Sequence, residues 1–196
     1  MRADSANLYP AFPYPSFTGI TDEDTLAIKA YLFSLPPVRQ PSRPQEVSFP
    51  FSWRPLISIW KWLFFTPGPF RPVPGQTAEH DRGAYLVTAL AHCGECHTPR
   101  NWLGAMEASA FLAGTPSGPD GKKVPNITQD KNTGIGKWSE QDIVTLLKDG
   151  QTPDFDFVGG AMNEVVSDTA ALTDADRKAI AIYLKTVPAK PFAGNE

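Results

Sequence analysis

Cys93-Gly94-Glu95-Cys96-His97 reads C-x-x-C-H, and this stretch decides the fold. Two thiols three residues apart at a helix end can bond the two vinyl-derived carbons of one porphyrin, and the next residue, His97, then lies under the iron. Other readings of a C-x-x-C are weaker. A redox dithiol expects a βαβ context, which the pattern lacks. A zinc site needs a second pair of ligands, and no further C-x-x-C or H-x₃₋₅-H exists, although His92 could join a mixed site. A simple disulfide would leave His97 without a role. The expected cofactor is therefore one covalent haem c held by Cys93 and Cys96, with His97 as an axial metal ligand.

A second axial ligand is needed, and methionine is the usual partner of histidine in electron carriers. The chain offers Met1, Met106 and Met162. Met1 is terminal, and Met106 lies nine residues after His97, too close to reach the opposite haem face easily. Met162 follows Gly159 and Gly160, whose bare backbone allows close approach to a flat group, and is the candidate metal ligand.

The surrounding pattern is helical. Leu86, Ala89, Leu90 and Cys93 recur at helix spacing over 81–97. Ser139 and Asp142 form a capping-box start, Ile143, Leu146 and Leu147 a stripe, and Gly150 an end. Thr173 caps a third helix, with Asp174 and Asp176 in its first turn, Ile180, Tyr183, Leu184 and Val187 as its stripe, and Pro188 as its stop. Residues 114–136 form a long Gly, Pro, Asn and Asp loop, a length usually reserved for function.

The third helix has an echo. Residues 20–38, ITDEDTLAIKAYLFSLPPV, match residues 172–190, LTDADRKAIAIYLKTVPAK, at eight of nineteen positions. Ala11-Phe12 falls where Ala161-Met162 falls, given a two-residue gap. The domains expected are a C-terminal remnant of a preceding copy over 1–38, a Pro-rich and aromatic connector over 39–77, a complete domain over 78–190 and a tail over 191–196. The remnant lacks C-x-x-C-H and has Phe12 in the ligand place, so it holds no covalent haem of its own. The connector contains the most apolar run, the 53–65 segment with Trp53, Trp60, Trp62, Phe64 and Phe65. It is too short to span a bilayer and reads either as a helix packed on its own domain or as a docking or membrane-surface segment.

Composition narrows the rest. The 196 residues carry a net charge of −3, which argues against nucleic acid as a partner. Twenty are proline, roughly twice ordinary usage, so long stretches are irregular. Two cysteines exclude a multi-disulfide scaffold. The first residues lack the apolar core of a signal peptide, yet this haem attachment takes place outside the cytoplasm. The expectation is a truncated chain whose longer precursor carried the signal.

The stretches GAYLVTALAHCGECHTPRN, VPNITQDKNTGIGKWSEQDI, GGAMNEVV and LTDADRKAIAIYLKTVPA closely resemble the cytochrome c subunits of bacterial membrane-bound dehydrogenases that oxidise alcohols, gluconate, sorbitol and aldehydes. The resemblance covers nearly the whole chain. It implies an all-α fold with a class I cytochrome c domain, and electron transfer rather than catalysis. The partners implied are a dehydrogenase catalytic subunit and an acceptor: quinone, another cytochrome or an oxidase. The location implied is the periplasm or the periplasmic face of the membrane. Asn126 and Trp138 would lie on the propionate-side loop, Trp138 and Arg100 donating to propionates, and Pro125 would orient His97. Two rival functions remain: a docking subunit or relic working through the 53–65 segment, and an open-iron peroxidase or sensor, against which Met162 argues.

Overall fold

The computed structural model describes residues 7–41, 43, 46–50, 52–118 and 120–194. Met1, Phe51, parts of the Pro-rich run (Ser42, Pro44, Gln45) and the last two residues of the tail lie outside the described residues. The described chain is helical, with only isolated β-bridges. It divides into two compact units, one ending at Phe70 and one beginning at Arg71.

The first unit holds α1 (Tyr14–Phe17), α2 (Asp22–Ser34) and α3 (Pro55–Phe64). Pro55 opens α3 at a position where a missing N–H costs nothing. Ile57 is buried, and Tyr14 packs edge-on against Trp60 and Phe65 with ring centroids 6.3 and 5.2 Å apart. The loop after α3 returns to the same place, where the Phe70 N–H donates to Gly19 O at 2.9 Å and the Gly68 N–H to Thr18 Oγ1 at 3.0 Å. Part of the 39–77 connector thus folds as one unit with residues 9–20. α2 buries no side chain at all.

The second unit holds α4 (Ala78–Tyr85), α5 (Gly94–His97), α6 (Glu140–Asp149), α7 (Met162–Ala170) and α8 (Asp174–Thr186). α4 and α8 cross at Gly83, where an added Cβ would lie 1.9 Å from Ala179 O. Only glycine permits that approach, and it lets Leu86, Val87, Ile180, Ala181, Leu184 and Val187 close into one core. α6 lays Ile143 and Leu147 on the same core, and α7 packs on α6.

The ends of α6 and α8 follow from sequence. Ser139 Oγ accepts from the Asp142 N–H while Asp142 Oδ2 accepts from the Ser139 N–H, and Gly150 closes α6 in the left-handed region at φ 75°. Thr173 Oγ1 accepts from the Asp176 N–H to start α8, and Pro188 follows its last residues. The expected 81–97 helix differs. It starts earlier, at Ala78 behind the Thr77 cap, and breaks before the cysteines.

Candidate functional site

The break aims the cysteine motif. α4 runs on into a π-turn over Leu86–Leu90, closed by the Ala91 N–H donating to Leu86 O at 2.8 Å. Such turns insert a residue and rotate the chain beyond them. His92 then takes φ 40°, a left-handed value unusual outside glycine, and the Cys93 N–H reaches back to Val87 O at 3.0 Å. The chain restarts as the single turn α5, with the His97 N–H donating to Cys93 O at 3.0 Å. Gly94 fits because a Cβ there would lie 2.6 Å from the Phe111 ring. Cys93 rests against the core, Cys96 is exposed, and neither is in a disulfide. Burial pushes the Cys93 thiol up to about 11, and burial with the Glu95 charge raises Cys96, so both stay protonated at neutral pH.

His97 is held at two points. Its backbone carbonyl accepts from the Gly114 N–H at 2.8 Å, and its ring Nδ1 lies 2.8 Å from Pro125 O. A carbonyl cannot donate, so Nδ1 carries the proton and Nε2 presents its lone pair. Burial lowers the pKa of the ring, and the bond to Pro125 offsets part of that. The ring is thus kept in the neutral, metal-binding form.

Arg100 is directed at the cysteine turn. It donates to the Glu95 carboxylate at 2.5 Å, to Glu95 O at 3.3 Å and to Gly104 O at 2.8 Å. Asn126 is buried and spent on protein: its Nδ2 donates to Thr133 Oγ1 and Lys190 O at 2.9 and 2.7 Å, and its Oδ1 accepts from the Thr128 N–H at 2.8 Å. Trp138 packs against the core, and its indole N–H has no partner among the described residues. The structure therefore joins His97 to Pro125 directly, and Arg100 to the cysteine turn through Glu95.

Met162 is the first residue of α7, half-buried, after Gly160 at φ 62°. Open space surrounds Gly159 and Gly160. Between α6 and α7 the chain makes a hairpin, with the Thr152 N–H on Asp156 O at 2.8 Å and the Val158 N–H on Gly150 O at 2.9 Å. The hairpin holds Phe155 and Phe157 in solvent at 79% and 70% exposure. Two further groups anchor α7. Thr169 Oγ1 donates to Leu147 O at 2.6 Å, and the buried Arg177 guanidinium donates to the carbonyls of Thr169, Ala170 and Leu172. α7 and its Arg177 clamp carry no local sequence signal.

These residues fit a covalent haem. Both thiols are free, the His97 lone pair is available, and the segment leading to Met162 exposes aromatic surface that a flat apolar group would cover. Among the described residues no group of three His, Cys, Asp or Glu stands together as a metal site of another kind.

Comparisons with known proteins agree. Residues 81–188 match the Cytochrome c family model. A diheme cytochrome c-type protein of Cereibacter sphaeroides is 46% identical over 95% of this chain and 61% of its own length. The fructose dehydrogenase cytochrome subunit of Gluconobacter japonicus is 43% identical over the whole chain and 40% of its own. The cytochrome c subunit of the quinone alcohol dehydrogenase of Gluconacetobacter polyoxogenes is also 43% identical, over the whole chain and 43% of its own length. The chain thus spans between two fifths and three fifths of these relatives.

Proposed function

The chain belongs to the cytochrome c family, and on that premise we propose that it carries single electrons through one haem c, as the cytochrome part of a dehydrogenase complex. Cys93 and Cys96 would hold the haem by thioether bonds, and His97 and Met162 would ligate its iron. Bound haem would supply a one-electron couple, with no bond made to a substrate. The chain's own residues set the conditions. Pro125 O fixes the His97 ring and raises its basicity, and α7, held by Thr169 and Arg177, presents Met162. The Trp138 indole N–H is left to donate to a propionate.

The observation that carries this reading is the His97 ring, tied through Nδ1 to Pro125 O at 2.8 Å one residue from Cys96. The relatives' names support a dehydrogenase as electron donor, and quinone, a second cytochrome or an oxidase would receive the electrons. No described helix is long and apolar enough to cross a membrane. The reading places the protein in the periplasm, where haem attachment occurs.

A second reading concerns contact. α3 buries Ile57 and turns Ile59, Trp62 and Leu63 outward, with Trp62 82% exposed. That face supports docking to the dehydrogenase or to a membrane surface.

The test is redox titration of the loaded chain, with cyanide added to the ferric form. A reversible one-electron couple and slow, weak cyanide binding are expected. Met162→Ala should lower the potential and let cyanide bind readily. Fast cyanide binding by the unaltered chain would replace the carrier with an open-iron protein, and an unchanged potential in Met162→Ala would remove Met162 from the iron.

A further inference from the structure

Residues 191–196 read as a tail, yet Phe192 and Ala193 are bonded into the site together with Lys190 before them. The Lys190 N–H donates to Thr128 Oγ1, and Lys190 O accepts from both Thr128 Oγ1 and Asn126 Nδ2, at 3.1, 3.1 and 2.7 Å. The Phe192 N–H donates to Thr133 Oγ1, and the Ala193 N–H to Ala113 O, both at 3.1 Å. The Phe192 ring lies where a Cβ on Gly114 would meet it at 2.7 Å, with the Lys123 ammonium 4.5 Å from the ring centre.

Residues 190–193 therefore run across two stretches that both hold His97. The 113–115 stretch supplies the Gly114 N–H that bonds His97 O, and the 125–128 stretch supplies Pro125 O for the ring. Asn126 and Thr128 are almost fully buried, at 2% and 0%, so the inner ends of their bonds to the half-buried Lys190 are shielded from water. Neither stretch is held by a helix of its own.

The geometry points to a positioning role: residues 190–193 form a strap that, through Asn126 and Thr128, fixes the Pro125 carbonyl and with it the Nδ1–H bond and orientation of the His97 ring. This rests on the haem reading and deepens it by naming what sets the proximal ligand. A loosened Pro125 carbonyl would free Nδ1. The Nδ1 proton would then exchange with solvent, and the ring's basicity toward iron would fall.

The experiment is nitrogen-15 NMR of the full chain loaded with haem in its reduced, diamagnetic form, reading exchange of the His97 Nδ1 proton, together with the reduction potential. The variants are Thr128→Val, Thr128→Ser and a chain ending at Ala189. The unaltered chain and Thr128→Ser, which keeps the hydroxyl, should show a slowly exchanging Nδ1 proton. In Thr128→Val and the shortened chain that exchange should be faster by roughly tenfold or more, as expected for local opening of a protected bond. Their potentials should move positive. Should the shortened chain fail to fold, Thr128→Val decides alone. An unchanged exchange rate and an unmoved potential, with only a lower melting temperature, would reduce the strap to a structural tie and overturn the proposal. A chain that takes no haem would end the haem reading and the proposal with it.

Discussion

α2 and α8 are nearly the same helix placed in different surroundings. Thr21 caps α2 as Thr173 caps α8, each accepting from an aspartate N–H three residues on, at 3.2 and 3.1 Å. Each ends on an extended residue, Leu35 or Val187, whose N–H reaches back three residues at 3.3 Å, and each is followed by proline. Their burial is opposite. α8 buries Arg177, Ala179, Ile180, Ala181 and Leu184, while α2 buries nothing. Ile180 is 2% exposed and its counterpart Ile28 is 42%. Helix ends are decided by a few neighbouring residues. Burial is decided by a partner elsewhere in the chain, and for α8 that partner is α4 with Gly83.

The sharpest way to break the contrast is to remove the partner. Gly83→Val would press a side chain into the Ala179 carbonyl and should cost about 3 kcal/mol or more, leaving the second unit molten by near-UV circular dichroism. Next comes the pair Ile180→Ala and Ile28→Ala, compared by urea unfolding. The first should cost about 3 kcal/mol and the second less than about 0.5 kcal/mol. Equal losses would mean that α2 is packed after all.

Arg177 faces Thr25 in the repeat alignment. Arg177→Met would leave three carbonyls, one buried and two part-buried, without their donor and should cost about 2 kcal/mol, whereas Thr25→Ala should cost under about 0.5 kcal/mol by thermal melting. The smallest effect concerns charge. The Arg82 guanidinium holds the Asp176 carboxyl below the usual carboxylate range, and the Ser139 N–H and hydroxyl do the same for Asp142. A depressed folded pKa gives stability that is present above the unfolded value, near 4, and lost as pH falls through the folded value. Melting temperature should therefore stay level down to about pH 4 and decline below it, and Arg82→Met should flatten part of that decline.

Much of this was legible in the sequence because its causes are local. Cys93, Cys96 and His97 stand at fixed spacing, Ser139 and Asp142 cap each other, and Gly150 and Pro188 stop their helices. The illegible parts depend on distant partners or on hydrogen-bond slippage. The π-turn before Cys93 has no residue signature, since Leu86–Leu90 reads as an ordinary helix. α7 is short and mixed in character, and it persists because Arg177 and Leu147 O hold its far end. The family resemblance puts Asn126 on the propionate-side loop, and its bond to Lys190, 64 positions away, is a tie that no local pattern announces.

The contrast also bears on the cofactor, because the Cys-x-x-Cys-His motif lies in the unit whose helix α8 is buried. The central claim is that the second unit holds one haem by Cys93 and Cys96. Its most direct test is to export the chain with haem-attachment machinery, denature it, and record mass and haem spectrum together. The account predicts one haem per chain that survives denaturation and is lost from a Cys93→Ala, Cys96→Ala double variant. A folded chain with no haem on it, or with haem that denaturant strips away, would contradict it.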